Sequence, residues 1–365
     1  RRLSTRVCWV SARPISQGPP QCLMDDQGEA PVPPSWPAIT TWSLLHLATP
    51  AAMVPTPTSD TSLVLMLATA FALAFDWHTP EVNSRLWKVS KRGAPDSYLL
   101  GTYHLGERDS RLPQQIQNIL ANSEVLITEV MLPGATAESA ADMKAAQQQM
   151  LNRQDKQSLS DKIGHQRVER LAKRLREQGG SRLSVRQLNQ FEPWAAVMLD
   201  MSIRPKGLSS DTGVDRLLQQ QALRQKIALD SLERYVDLPD SFRTLSLARV
   251  EELLDFNDVH RDQSEALSRK LFQLYYSKNY PELRALSADS SAYSVGLPQE
   301  SIDFWQHWLE RELLETRNRR WMPKLLAELP KKRALVAVGF GHLVDDSGLI
   351  AQLRKHGYTV EAVQE

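Results

Sequence analysis

The chain has 365 residues, of which 42% are hydrophobic and 24% charged, and its formal net charge is +1. That length and balance fit a soluble globular protein with a sizeable core, and they lack the basic stripe that a nucleic-acid partner requires. The two cysteines, Cys8 and Cys22, both lie near the start, so the rest of the chain holds no disulfide framework, thiolate metal site or cysteine nucleophile.

The chain opens at Arg1 rather than Met, and residues 1–60 are rich in Pro, Ser and Thr without helical or strand periodicity. Residues 1–52 therefore read as disordered, or as sequence upstream of a true start at Met53. Leu63–Phe75 is an apolar run of about 13 residues, too short to span a bilayer comfortably, and it ends in the small-x-small pattern Ala72-Leu73-Ala74. The expectation is a signal peptide at 53–74, though Met53–Ser62 carries Asp60 and no Lys or Arg. A single domain at 75–365 follows, periplasmic or secreted, with a membrane tether only if the segment stays uncleaved.

Arg85–Lys91 alternates apolar and polar residues and predicts a half-buried strand. Tyr98–His104 predicts a second strand, Pro113–Asn122 a short helix, and Val125–Met131 a third, central strand apolar on both faces. Residues 136–330 read as a large helical insertion, with amphipathic stretches at Asp161–Gln178, Val185–Met201 and Leu309–Leu329 and one strand at Lys226–Leu232. Arg333–Gly339, Gly348–His356 and Tyr358–Val363 predict strand, helix and strand. The fold class is α/β, with a mixed, largely parallel sheet shared by the N- and C-terminal thirds.

Two similar strand ends stand out: Gly101-Thr-Tyr-His104 and Gly339-Phe-Gly-His342. Sites in open α/β sheets form beyond the carboxyl ends of strands, and Gly101, Gly339 and Gly341 suggest sharp turns with room for a ligand. Two imidazoles meeting there suit a borderline metal ion. Glu129 ends an otherwise apolar strand, where a carboxylate is costly unless it binds a metal or pairs with an arginine; both readings stay open. Arg319 and Arg320 read as a solvated basic face. Asp345 and Asp346 follow His342 as its partners or as an acidic turn. His165 and His260 read as surface groups, and His356, in the last turn of a helix, as complementing its dipole.

Together, Gly101–Gly106 and Val338–Leu343, with Glu129 and Arg317-Asn318 in order between them, resemble the TraB/GumN family, which contains the Tiki metalloproteases. Glu192-Pro-Trp194, Gly213-Val-Asp215, Ser231-Leu-Glu233 and Gly357-Tyr-Thr-Val also resemble family patterns; Thr316 departs from them, since members often carry Glu there. The resemblance covers about 85–365 and implies the fold class of the erythromycin-esterase-like and ChaN-like proteins.

It further implies a metal-dependent hydrolase, a peptidase or an enzyme acting on a small molecule. His104 and His342 would hold Mn²⁺, Co²⁺ or Zn²⁺, with Glu129 as third ligand or as base toward water. Arg317 would bind a substrate carboxylate or developing oxyanion, supported by Asn318, and Tyr103 would touch substrate. No HExxH motif is present. The alternative is a protein that sequesters a peptide or haem without turnover, its cleft lined by Tyr103, Trp194, Trp305, Trp308 and Trp321, unless these are core residues. Tyr275–Lys278 and the Gln-rich helices suggest a weaker third option, a dimer face.

Overall fold

Every apolar run that the sequence places in a strand enters one six-stranded sheet. The computed structural model describes residues 83–151, 156–177, 181–288 and 295–365, so the expected signal segment and the upstream stretch lie outside the described residues. The strands are β1 (Leu86–Ser90), β2 (Ser97–Thr102), β3 (Val125–Thr128), β4 (Ala228–Ser231), β5 (Ala334–Gly339) and β6 (Thr359–Ala362), in the spatial order β4-β3-β5-β2-β1-β6. β2, β3, β4 and β5 run parallel to their neighbours within that group, while β1 is antiparallel to both β2 and β6.

Burial follows position in the sheet. All six residues of β5 and all four of β3 are buried, as strands covered on both faces require. The edge strands β4 and β6 are mostly exposed or half-buried. The largest apolar cluster joins the sheet to α1 (Gln114–Ala121), α2 (Val214–Gln225), α3 (Arg261–Tyr276), α4 (Thr316–Glu328) and α5 (Leu349–Lys355). A second cluster packs residues of the helical middle on one another, including Trp194, Trp305 and Trp308.

Five differences from the sequence reading have physical reasons. The middle region is not wholly apart from the sheet, because its strand β4 pairs with β3. Asp161–Gln178 is broken at Gly164, whose φ of 89° leaves the helical region, and Val185–Met201 is broken before Pro193, which starts a new helix at Pro193–Asp200. The helix expected at Leu309–Leu329 is the end of a longer one that starts at Gln299 and widens into a π-helical segment at Leu309–Glu315 before α4. Tyr275, expected on a dimer face, is fully buried in the sheet cluster.

Among the described residues, no helix is long and apolar enough to cross a membrane.

Candidate active site

Four parallel strands end on the same side of the sheet, and each delivers one side chain just past its last residue. His104 follows β2, Glu129 follows β3, Glu233 follows β4, and His342 closes the helical turn Phe340–His342 after β5. The strands at β2 and β3 are shorter than the sequence suggested. Their last residues leave the ladder, which frees His104 and Glu129 to turn inward instead of alternating across the sheet.

Two glycines permit the close approaches behind this arrangement. A Cβ on Gly101 would lie 2.7 Å from Phe340 Cδ2 and 3.1 Å from Phe340 Cα, so its absence lets the two histidine-bearing strand ends sit side by side. A Cβ on Gly213 would lie 2.3 Å from the His104 carbonyl oxygen. That gap brings the start of α2 against His104, where the Val214 N–H donates to the Tyr103 carbonyl at 3.0 Å. Of the motif glycines, Gly339 precedes the tight helical turn Phe340–His342, Gly341 lies within it, and Gly101 makes room for Phe340; none of the three has a positive φ.

Both imidazoles are fixed through Nδ1. His104 Nδ1 lies 3.0 Å from Asp215 Oδ1, an obligate acceptor, so this nitrogen carries a proton. His342 Nδ1 lies 2.8 Å from Asn318 Oδ1. The Asn318 amide donates from Nδ2 to the carbonyls of His342 at 3.2 Å and Ser347 at 3.0 Å, so its oxygen must face the ring and His342 too is protonated at Nδ1. Each Nε2 then points toward one atom: Glu129 Oε1 lies 3.8 Å from His104 Nε2 and 3.8 Å from His342 Nε2. The Nε2 of His104 is buried and forms no hydrogen bond.

Arg317 is the hub of the charges. Its guanidinium donates to Glu129 Oε2 at 2.6 Å, to both oxygens of Glu233, and to His342 Nε2 at 3.2 Å. Trp321 lies under it, 4.8 Å from the guanidinium carbon, and donates from its indole to Glu233 at 3.2 Å. Glu129 also accepts the Gly339 N–H at 2.6 Å.

The protonation states follow. Burial works against charge on Glu129, but Arg317, the two imidazoles and the Gly339 N–H outweigh it and hold the carboxyl well below its ordinary range. Glu233 shares the same guanidinium, and burial pushes its pKa above the ordinary value despite Arg317. Burial, with Arg317 and His104 adding to it, brings His342 down to about 3, so this ring is neutral. Burial also opposes charge on His104, yet Asp215 and Glu129 prevail and raise it.

The expected site residues therefore divide. His104, Glu129, Arg317, Asn318 and His342 meet at one centre. Of the two readings of Glu129, the pairing with arginine is present. Arg317 is nearly buried and engaged with carboxylates, so its guanidinium organises the centre. Tyr103, expected at the substrate, is buried instead against Phe272 and Tyr275, and its hydroxyl donates to the Ser268 carbonyl at 3.3 Å. Trp194, Trp305, Trp308 and Trp321 are buried as well. Asp345 turns away with φ 67° to accept from Arg284, so the acidic-turn reading holds for it. Two residues of the centre, Asp215 and Glu233, were given no role from the sequence, although both sit in short motifs noted there.

A pocket opens from His104 and Glu129 past Asp215, Tyr235 and Phe242 to Arg320, which the sequence had placed on a solvated face. For a divalent ion, imidazole and carboxylate donors stand about 2.0–2.2 Å away, so donors on one ion lie within about 4 Å of each other. Both 3.8 Å separations meet that limit. Rings held at Nδ1 are also the usual state of metal-binding histidines; the Nε2 of His104 is free, while that of His342 accepts from Arg317. The donor set thus fits in its chemistry, although Arg317 stands against two of its members. Among the described residues, no group of three or more His, Cys, Asp or Glu is arranged as a ready metal cluster.

Fold and site define an α/β protein with a buried histidine–glutamate–arginine centre at the carboxyl edge of its sheet. The chain belongs to the TraB/PrgY/gumN family, which it matches over residues 85–362. It is 23% identical over 316 residues to a Metalloprotease TIKI homolog of Amphimedon queenslandica; the match covers 76% of this chain and 61% of that protein's length. No solved structure gives a significant match.

Proposed function

We propose that the protein is an extracytoplasmic metal-dependent hydrolase that cleaves peptides at the His104–Glu129–His342 centre. The observation that carries this is the convergence of two Nδ1-anchored imidazoles on a single oxygen of Glu129, at 3.8 Å each. The similarity to a protein named as a metalloprotease supports it. The apolar run at Leu63–Phe75 supports export.

His104, His342 and Glu129 would hold the ion, of which Mn²⁺, Co²⁺ and Zn²⁺ all suit this donor set. A bound ion would supply a water acidified toward neutrality and an electrophile for a carbonyl. Asp215 and Asn318 keep the two rings turned so that Nε2 faces inward. Glu129, kept ionised by Arg317, would give the ion its anionic donor. Arg317 holds Glu129 and Glu233 in place, and Arg320 offers a charge farther out in the pocket for an acidic part of the substrate.

Metal titration of the full chain tests this, comparing wild type with His104→Ala and His342→Ala. One tightly bound ion in wild type and none in either variant is the expected result. A folded wild-type protein with no saturable binding of Mn²⁺, Co²⁺ or Zn²⁺ removes the reading.

A further inference from the structure

A second cavity, sharing no lining residue with the first, lies between the helix Leu247–Val259, the start of α3 and the stretch Asp200–Pro205. Arg204 lines it. The Nε and Nη2 atoms of this side chain are buried and form no hydrogen bond, and among the described residues no carboxylate pairs with it. Burial lowers its pKa, which Asp211 offsets only partly and from beyond an ion pair. Buried guanidinium donors left without an acceptor are costly, which favours an anionic acceptor reaching them from the cavity.

The other charges around the cavity are spoken for. Asp200 pairs with Arg174 at 2.7 Å, and Asp258 also accepts from Arg174 at 2.7 Å. Glu265 pairs with Arg269 at 2.8 Å. Arg261, the first residue of the 16-residue helix α3, has only a loose contact with Glu177, at 3.7 Å. Among the lining residues Arg174, Arg204 and Arg261 outnumber Asp200 and Glu265, and Arg204 is the arginine there with no carboxylate at ion-pair distance among the described residues. Met201, Ile203, Phe256 and Leu267 supply an apolar wall beside it.

We infer that this cavity binds an amphiphilic oxyanion, a carboxylate or phosphate on an apolar body, with Arg204 as the principal charged contact and Arg261 as the second. The site is independent of the proposed hydrolytic centre.

Calorimetric titration of the full chain with hexanoate, hexyl phosphate and hexanol tests it. At least one of the two anions is expected to bind saturably and the alcohol not, and the anion that binds identifies the head group. Arg204→Gln should weaken that binding about tenfold or more, as loss of a charge-assisted contact does. Should that variant not fold, Arg261→Gln serves, with a smaller loss. Failure of both anions to bind, or equal binding by wild type and variant, overturns the inference.

Discussion

The side-chain oxygen of Asn318 lies 2.8 Å from Nδ1 of His342, and the Asn318 amide nitrogen is anchored to two backbone carbonyls, so residue 318 decides which nitrogen of the histidine bears the proton. Asn318→Leu removes that acceptor and lets the ring turn. Metal affinity should fall about 10- to 100-fold, the usual loss when such a support is removed. Titration beside wild type, with circular dichroism to confirm folding, checks it.

Arg317→Met leaves Glu129 and Glu233 buried without their shared cation. Breaking a buried ion pair from one side costs about 3–5 kcal/mol. The double variant Arg317→Met with Glu233→Gln removes one of the stranded charges and should recover part of that. Urea unfolding at neutral pH measures both; equal stability of the single variant and wild type contradicts the hub role.

The metal-free protein should lose stability as the pH falls from about 6.5 toward 3. His342 titrates at about 3 when folded and near its ordinary 6.5 when unfolded, so across that window the unfolded chain binds the extra proton. Glu129, whose folded pKa is depressed, acts in the same sense: its contribution is present above its unfolded pKa and is lost in acid. His104 acts oppositely, since its folded pKa is raised and its contribution fades as the pH climbs through that value. Replacing His342 with Asn should flatten the acid limb of a plot of stability against pH recorded in chelator.

Gly213→Ala forces a Cβ to within 2.3 Å of the His104 carbonyl, where only backbone movement gives relief. Overpacking of this kind costs about 1–3 kcal/mol. It should also pull Asp215 away from His104 and weaken metal binding more than Gly93→Ala, whose Cβ would meet nothing within 4 Å.

Tyr103→Phe should leave KM unchanged, because the hydroxyl points into the core toward Ser268. The loss should be about 1 kcal/mol of stability, seen in thermal unfolding. A large rise in KM would return Tyr103 to the substrate.

Much of this was legible from the chain. The strands read well because apolar runs such as Ala334–Gly339 fit strands covered on both faces. His104 and His342 could be found because each follows a strand beside a glycine. What the sequence does not carry is direction. Nothing in Thr102-Tyr103-His104 says that Tyr103 faces the core and His104 the pocket, since the chain leaves the ladder between them. Nor do single letters say that Asp215 meets His104 across the fold, a pairing that depends on the gap at Gly213. The breaks at Gly164 and Pro193 were readable in principle, but helical periodicity on either side masked them.

β5, at the centre of the sheet, is the fifth of the six described strands in chain order. β5 separates β2 from β3, and it carries the turn that supplies His342. Until it inserts, the sheet is two unconnected halves, with His104 on one and Glu129 on the other; the Glu129 contact to Gly339 spans 210 positions of sequence. A chain that stops before this strand therefore holds no assembled centre, because the turn that supplies His342 and the Gly339 N–H that Glu129 accepts both come with it.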